Sequence, residues 1–121
     1  MNDDQIEQEI QQKGLTAPRV TPADIEANIT SEFYFTAAQG VNGRFQADGD
    51  DVRLDAECSP LGLLTFCVLV LRNGFTVTGE SACVSHENFD AELGRKIARQ
   101  HAVAKMWPLM GYALRERLAA A

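Results

Sequence analysis

Leu64-Thr65-Phe66-Cys67-Val68-Leu69-Val70-Leu71-Arg72-Asn73-Gly74-Phe75-Thr76-Val77-Thr78-Gly79-Glu80-Ser81-Ala82-Cys83 decides the fold. Two runs rich in β-branched, aromatic and leucine side chains flank Asn73-Gly74, the dipeptide that tight two-residue hairpin turns favour because both central positions need positive φ. Such a turn predicts Val70 opposite Val77, Val68 opposite Gly79, Phe66 opposite Ser81 and Leu64 opposite Cys83, a nearly all-apolar face. The other face then carries Leu71, Leu69, Cys67 and Thr65 against Thr76, Thr78, Glu80 and Ala82, a mixture of apolar side chains, hydroxyls and a carboxylate. Two strands alone are marginal, so a third must come from Phe33 to Thr36, from the loop that follows, or from a second chain.

Downstream, Ser85 or Asn88 can cap a helix that runs to about Trp107. Phe89, Leu93, Ile97, Ala104 and Trp107 fall on one stripe at helical spacing and are expected to cover the apolar hairpin face. Ala91, Gly94, Ala98 and Ala102 make a second, small-residue stripe that suits close approach of another helix. Glu92 is placed to pair with Arg95, leaving Arg99 free. Pro108 is expected to kink or break the helix, with a final helix over 109–118.

Upstream, residues 3–13 read as a short polar helix stopped by Gly14. Thr21-Pro22-Ala23-Asp24 has the form of a capping box with proline at the first helical position, so a helix starts there. Ile25, Ile29 and Phe33 could continue its apolar side, but Phe33-Tyr34-Phe35-Thr36 also has the composition of a strand. The stretch 39–60 is rich in Gly, Asp and Asn and reads as a loop of variable length. The expectation is one α+β domain over 1–121: a small antiparallel sheet against a long C-terminal helix, with N-terminal helices and a frayed segment over 1–20.

Of the 121 residues, 45% are hydrophobic and 23% charged, enough for a core without staples. The longest apolar run, Phe66 to Leu71, is too short to cross a bilayer, and Asn2-Asp3-Asp4-Gln5 is not a signal-peptide start, so a cytoplasmic chain with no membrane contact is expected. Cys58, Cys67 and Cys83 lack paired spacing and are expected as thiols. The net charge of −6 argues against a duplex nucleic-acid binder. Residues 1–71 hold 4 basic and 12 acidic side chains, whereas 72–121 hold 7 basic and 5 acidic, so an anionic ligand belongs to the second half.

Gly79-Glu80-Ser81-Ala82-Cys83 starts like a nucleophile elbow, but Cys83 replaces the last glycine and the segment is a hairpin strand. Cys83, His86 and Glu80 can be drawn as nucleophile, base and orienter; packing plus a turn explains them more simply. A metal held by Cys58, Cys67, Cys83 and His86 would need ligands on both faces of one hairpin. No Gly-rich phosphate loop occurs, which argues against NTP hydrolysis; with these alternatives weighed, no catalytic residue, metal or cofactor is expected. The basic set Arg72, Arg95, Lys96, Arg99 and Lys105 suits phosphate, with Phe75, Tyr34 or Phe35 to stack on a base, although a solvated helix face accounts for the same charges.

The hairpin sequence, together with Asn88-Phe89-Asp90, Gly94, Ala98, Trp107, Leu109, Gly111 and Tyr112, resembles a family of small tailed-phage and prophage proteins over residues 62–118, and more loosely over 20–36. That family in turn is similar to the first type of Thoeris anti-defence proteins. The resemblance implies a non-enzymatic sponge that sequesters cyclic ADP-ribose isomers made by bacterial TIR enzymes, and in some members cyclic oligonucleotides. It also implies homodimers or larger oligomers with ligand pockets between subunits, in an infected or lysogenic bacterial host. The candidate contacts are Arg72, Arg95, Arg99 and Lys105 for phosphate, Phe75 for stacking, and Thr78, Ser81 and Asn88 for polar groups. Thr78 and Ser81 leave opposite faces of a strand, so this set cannot converge within one chain. The contrasting expectation is a phage adaptor that binds a host protein through the helical region and takes no nucleotide.

Overall fold

The computed structural model describes residues 2–121 as an α+β fold: α1 (Asp3–Gln12), α2 (Pro22–Ala27), β1 (Ile29–Thr36), α3 (Ala37–Ala47), β2 (Leu64–Leu71), β3 (Thr76–Ala82) and α4 (Ala91–Ala120), with 3-10 turns at Pro60–Leu63 and His86–Asn88. The strands form one antiparallel sheet in the order β1-β2-β3. β1 is therefore the third strand. The helix begun by the Thr21–Asp24 capping box ends at Ala27, and the aromatic run after it is extended. The stretch 39–60, expected as a loop, starts inside α3. Thr36 and Gln39 form a capping box that launches α3 despite the glycines at 40 and 43.

The hairpin forms, but one residue out of the expected register. Val70 pairs with Thr76, Leu69 with Val77, Cys67 with Gly79 and Thr65 with Ser81. The cause is the turn. The amide of Gly74 donates to the Leu71 carbonyl and that of Leu71 to the Phe75 carbonyl, a three-residue loop over Arg72, Asn73 and Gly74. Only Gly74 takes positive φ, +88°, and no non-glycine residue described does. Asn73 thus avoids the left-handed conformation a two-residue turn would impose, and its side chain accepts from the Phe75 amide at 2.9 Å instead.

The slip turns β2 over. Thr65, Cys67, Leu69 and Leu71 are buried beneath α4, while Leu64, Phe66, Val68 and Val70 face the other way and are half-buried. On β3 the expected Val77 and Gly79 do face the core. The face of α4 is corrected as well. Gly94, Ala98, Ala102 and Met106 pack on the sheet, and Leu93 of the expected stripe is exposed. Small side chains bring the helix close: a β-carbon on Gly79 would stand 2.1 Å from the Ala98 carbonyl oxygen. Asp90 caps α4 through the Leu93 amide at 2.9 Å, rather than Ser85 or Asn88. The helix runs through Pro108 without a break, so the expected separate helix over 109–118 is its last third.

A ring of polar contacts ties the layers together. The guanidinium of Arg99 on α4 donates to both carboxylate oxygens of Glu26 on α2, at 3.0 and 2.7 Å, and to Glu32 on β1 at 3.0 Å. The expected free cation is therefore neutralised twice, and Glu92 pairs with Lys96 at 3.3 Å instead of with Arg95. α1 rests on this body through Trp107, whose indole N–H donates to Asp3 at 3.0 Å, and through the bidentate Arg19–Glu7 pair. No residue of α1 is buried.

Candidate functional site

The end of the sheet away from the hairpin turn holds the site. There β1 runs directly into α3, and Thr36 and Gln39 fix the corner by their reciprocal cap. Across from it the chain enters β2 through the Pro60–Leu63 turn. Gly62 lies so close to the 56–59 segment that a β-carbon would stand 2.0 Å from the Ala56 carbonyl oxygen, so that segment is pressed against the start of β2. Asn42 on α3 clamps the preceding loop, donating to the Leu54 carbonyl at 3.1 Å and accepting from the Leu54 amide at 2.7 Å. The His86–Asn88 turn and the first turn of α4 form the third side.

These walls enclose a cleft of about 760 Å3. Tyr34, Phe35 and Phe89 supply aromatic surface; Thr36, Gln39 and Thr65 supply hydroxyl and amide groups; His86, Glu57, Glu87 and Arg95 supply titratable groups. Arg95 makes no ion pair with any described residue, so its planar donor fork stays available. Its neighbour one turn on, Arg99, does not. Tyr34 links the cleft to the Arg99 cluster: its hydroxyl donates to Glu32 at 2.6 Å, which fixes the ring edge that borders the cleft. Burial, and then the Glu32 carboxylate beside it, push the Tyr34 hydroxyl well above its ordinary range, so it stays a donor. Glu32 is held below the usual carboxylate range by Arg99 first and by Tyr34 second. Beneath, burial raises the Cys67 thiol, which marks it as a neutral packing group and not a nucleophile.

Of the candidate contacts, Arg95 alone lines this cleft. Asn88 stands in the adjacent turn, exposed, and Ser81 pairs with Thr65 on the sheet face beneath α4. Arg72 and Phe75 sit at the hairpin tip, at the far end of β2, about 20 Å from Thr65 at strand rise. Thr78 projects from the sheet face opposite α4, and Lys105 is exposed on α4 about 15 Å along the helix from Arg95. The eight side chains thus remain dispersed within one chain. The cleft gains Phe89, His86, Gln39 and Thr65 instead. Phe89 belongs to the stripe expected in the core; nothing local distinguished it from a core residue.

A second groove of about 630 Å3 lies between α1, α2 and α4. Its charges are Asp3, Asp4 and Glu26 against Lys96 and the already neutralised Arg99, and Trp107 is its one ring. The first cleft has three rings, and its charges are Glu57 and Glu87 against Arg95. Among the described residues no cluster of His, Cys, Asp and Glu has the form of a metal site. Nor, among the described residues, is any helix long and apolar enough to cross a membrane.

No curated protein and no solved structure matches the chain. The model of the phage protein (N4 Gp49/phage Sf6 gene 66) family matches residues 20–118, most of the chain and all of it from the approach to α2 nearly to the end of α4, so the chain belongs to that phage protein family.

Proposed function

We propose that this protein is a phage anti-defence factor that binds a small cyclic nucleotide immune messenger, a cyclic ADP-ribose isomer or a cyclic oligonucleotide, and lowers its free concentration without turning it over. The observation that carries this reading is the cleft of about 760 Å3 in which three aromatic rings meet an arginine with no carboxylate partner. The volume is in the range of small-molecule sites. Stacking on such rings is worth about 1–3 kcal/mol per base, and a charge-assisted contact to phosphate about 1.5–3 kcal/mol. A stoichiometric sponge needs a Kd below the signalling concentration; nanomolar binding corresponds to about −12 kcal/mol.

A thermal-shift panel of cyclic ADP-ribose isomers and cyclic di- and trinucleotides, followed by calorimetry on the best ligand, tests it. Arg95→Ala should weaken binding about ten- to a hundredfold while the melting temperature of the free protein stays nearly unchanged. The ligand should be recovered intact after heat denaturation. A panel that produces no shift, or a ligand returned as product, rejects the reading. The exposed Leu109, Tyr112 and Leu118 on the distal part of α4 favour a second reading, the adaptor. A tight host partner in pull-down with no nucleotide ligand selects it.

A further inference from the structure

α1 lies in a groove of the body that it fills poorly. Asp3, Ile6, Glu7 and Ile10 make its inner row, at the i, i+3, i+4 and i+7 spacing of one helix face. They meet Val20, Pro22 and Trp107, with Arg19 closing the bidentate pair to Glu7 and the Trp107 indole N–H donating to Asp3 at 3.0 Å. Yet Ile6 stays 44% exposed, no residue of α1 is buried, and a gap of about 200 Å3 separates the helix from the body. Nor does the groove end where α1 starts. A trough of about 630 Å3 runs on from Asp3 and Asp4 along α4, past Val103 and Gln100 to Lys96. Lys96 pairs with Glu92 on the open surface, where both side chains are mostly exposed and such a pair is worth little.

We propose that this groove is the docking site for an acidic amphipathic helix of a partner protein, and that α1 is its displaceable cover. The occupant's chemistry is written on α1: an acid, an aliphatic side chain three residues on, a second acid four on and a second aliphatic seven on. An amphipathic helix laid into an apolar groove with anchors at this spacing is a recurring mode of recognition. Charge complementarity selects an acidic helix. Asp3–Gln12 holds four acidic side chains and no basic one, and the groove answers with Arg19 at one end and Lys96 at the other, Arg99 being taken by Glu26 and Glu32. Length argues for a partner longer than α1. Ten helical residues span about 15 Å, and a helix two turns longer reaches Lys96 and fills the trough that α1 leaves open. The cover is weak by construction, because so short a helix is marginal by itself and buries no side chain here. The walls Val20, Pro22, Val103 and Trp107 lie within the residues that match the phage protein family, whereas α1 lies outside them. Joined to the groove by a short linker, α1 competes at an effective concentration of order millimolar, so it turns away weak helices and yields to better-fitting ones. The inference concerns this groove alone and holds whether or not the cleft takes a nucleotide.

The test uses the full chain, native and with α1 undocked by Ile10→Asp, which alters the cover and leaves the groove intact. The probe is an alanine-based helical peptide of about 20 residues, long enough to be helical alone, that carries Asp, Ile, Glu and Ile at the spacing of α1's inner row. Binding is read by the emission of Trp107, the one tryptophan of the chain. The peptide should bind Ile10→Asp saturably and move the emission to shorter wavelength as the indole is covered again. It should bind the native chain at least tenfold more weakly, because the covered groove is competent only in the fraction of molecules whose α1 is released. Ile6→Asp should behave as Ile10→Asp does, and a control peptide with lysine in place of both acids should bind neither. A peptide that fails to bind both undocked variants overturns the proposal, as does equal affinity for the native chain and Ile10→Asp or equal binding of the lysine control. Exchange of α1 between two copies, read by light scattering as a native oligomer that Ile10→Asp dissociates, overturns it too.

Discussion

Gly79 shows how much of the fold one missing β-carbon carries. It lies on β3 where α4 crosses, and an added β-carbon would stand 2.1 Å from the Ala98 carbonyl oxygen and 2.3 Å from the Ala102 amide nitrogen. Both obstacles are helix backbone, which cannot rotate away. Gly79→Ala should therefore cost more than about 3 kcal/mol in chemical denaturation, the upper end for overpacking, because α4 as a whole must lift. Gly94 is a useful contrast. There the nearest atom is the Thr65 hydroxyl oxygen at 3.2 Å, on a side chain that can turn. Alanine in a helix gains up to about 1 kcal/mol over glycine, so Gly94→Ala should be close to neutral. A mild Gly79→Ala would mean that α4 does not sit where its small-residue stripe places it. That stripe was visible in the sequence, as spacing and side-chain size. What spacing alone did not reveal was its target, the glycine on β3, because a helix-to-sheet contact between distant segments leaves no local mark.

At the scale of elements, the hairpin and the start of α2 were legible because each depends on a few adjacent residues, whereas the Asp90 cap of α4 and the start of α3 were not. Thr21 with Asp24 is a case of the first kind, and the cap forms as its spacing predicts. The register was not legible. A turn of two residues and one of three differ by the sign of φ at Asn73, yet that difference moves every β2 side chain to the opposite face. The core stripe on α4 was misplaced for a separate reason: its larger apolar side chains suggested the packed face, whereas the small residues Gly94, Ala98 and Ala102 are the ones that meet the sheet. α3 was hidden for another reason: Gly40 and Gly43 suppress local helix propensity, while the Thr36–Gln39 cap and the buried Ala38 support the helix. The docking of α1 yields a pH prediction. Its pair with Arg19, helped by Gln11, holds Glu7 down to about 2, against an ordinary value near 4.5. The folded-state value is depressed, so the stabilisation is fully present above about 4.5 and is lost as pH falls towards 2. The melting temperature of the native protein should exceed that of Glu7→Gln at neutral pH, and the gap should close across that interval. A gap that stays constant down to pH 2 would show that the pair does not form.

The whole molecule divides into a body and an appendage. The family match begins at residue 20, just after Arg19, and the core from Ile25 to Met106 is complete without α1. A helix of ten residues is too short to be stable alone, and this one buries no side chain fully. A gap of about 200 Å3 remains beneath it, between Ile6, Ile10, Val20, Pro22 and Trp107. Removal of residues 2–19 should thus leave a folded body with an unchanged cleft, since no cleft residue belongs to the lost segment. The loss is limited to partial burial of Ile6 and Ile10, the Asp3–Trp107 hydrogen bond and the Arg19–Glu7 pair, so the melting temperature should fall by less than about 10 °C. Trp107 is the one tryptophan of the chain and reports the event directly. Its emission should shift to longer wavelength on truncation, while the far-ultraviolet spectrum loses one short helix. A truncated chain that fails to fold would place α1 in the cooperative core. An unshifted Trp107 emission would mean that the indole is sheltered by the body and not by α1, and the Asp3 contact would then carry no weight in docking.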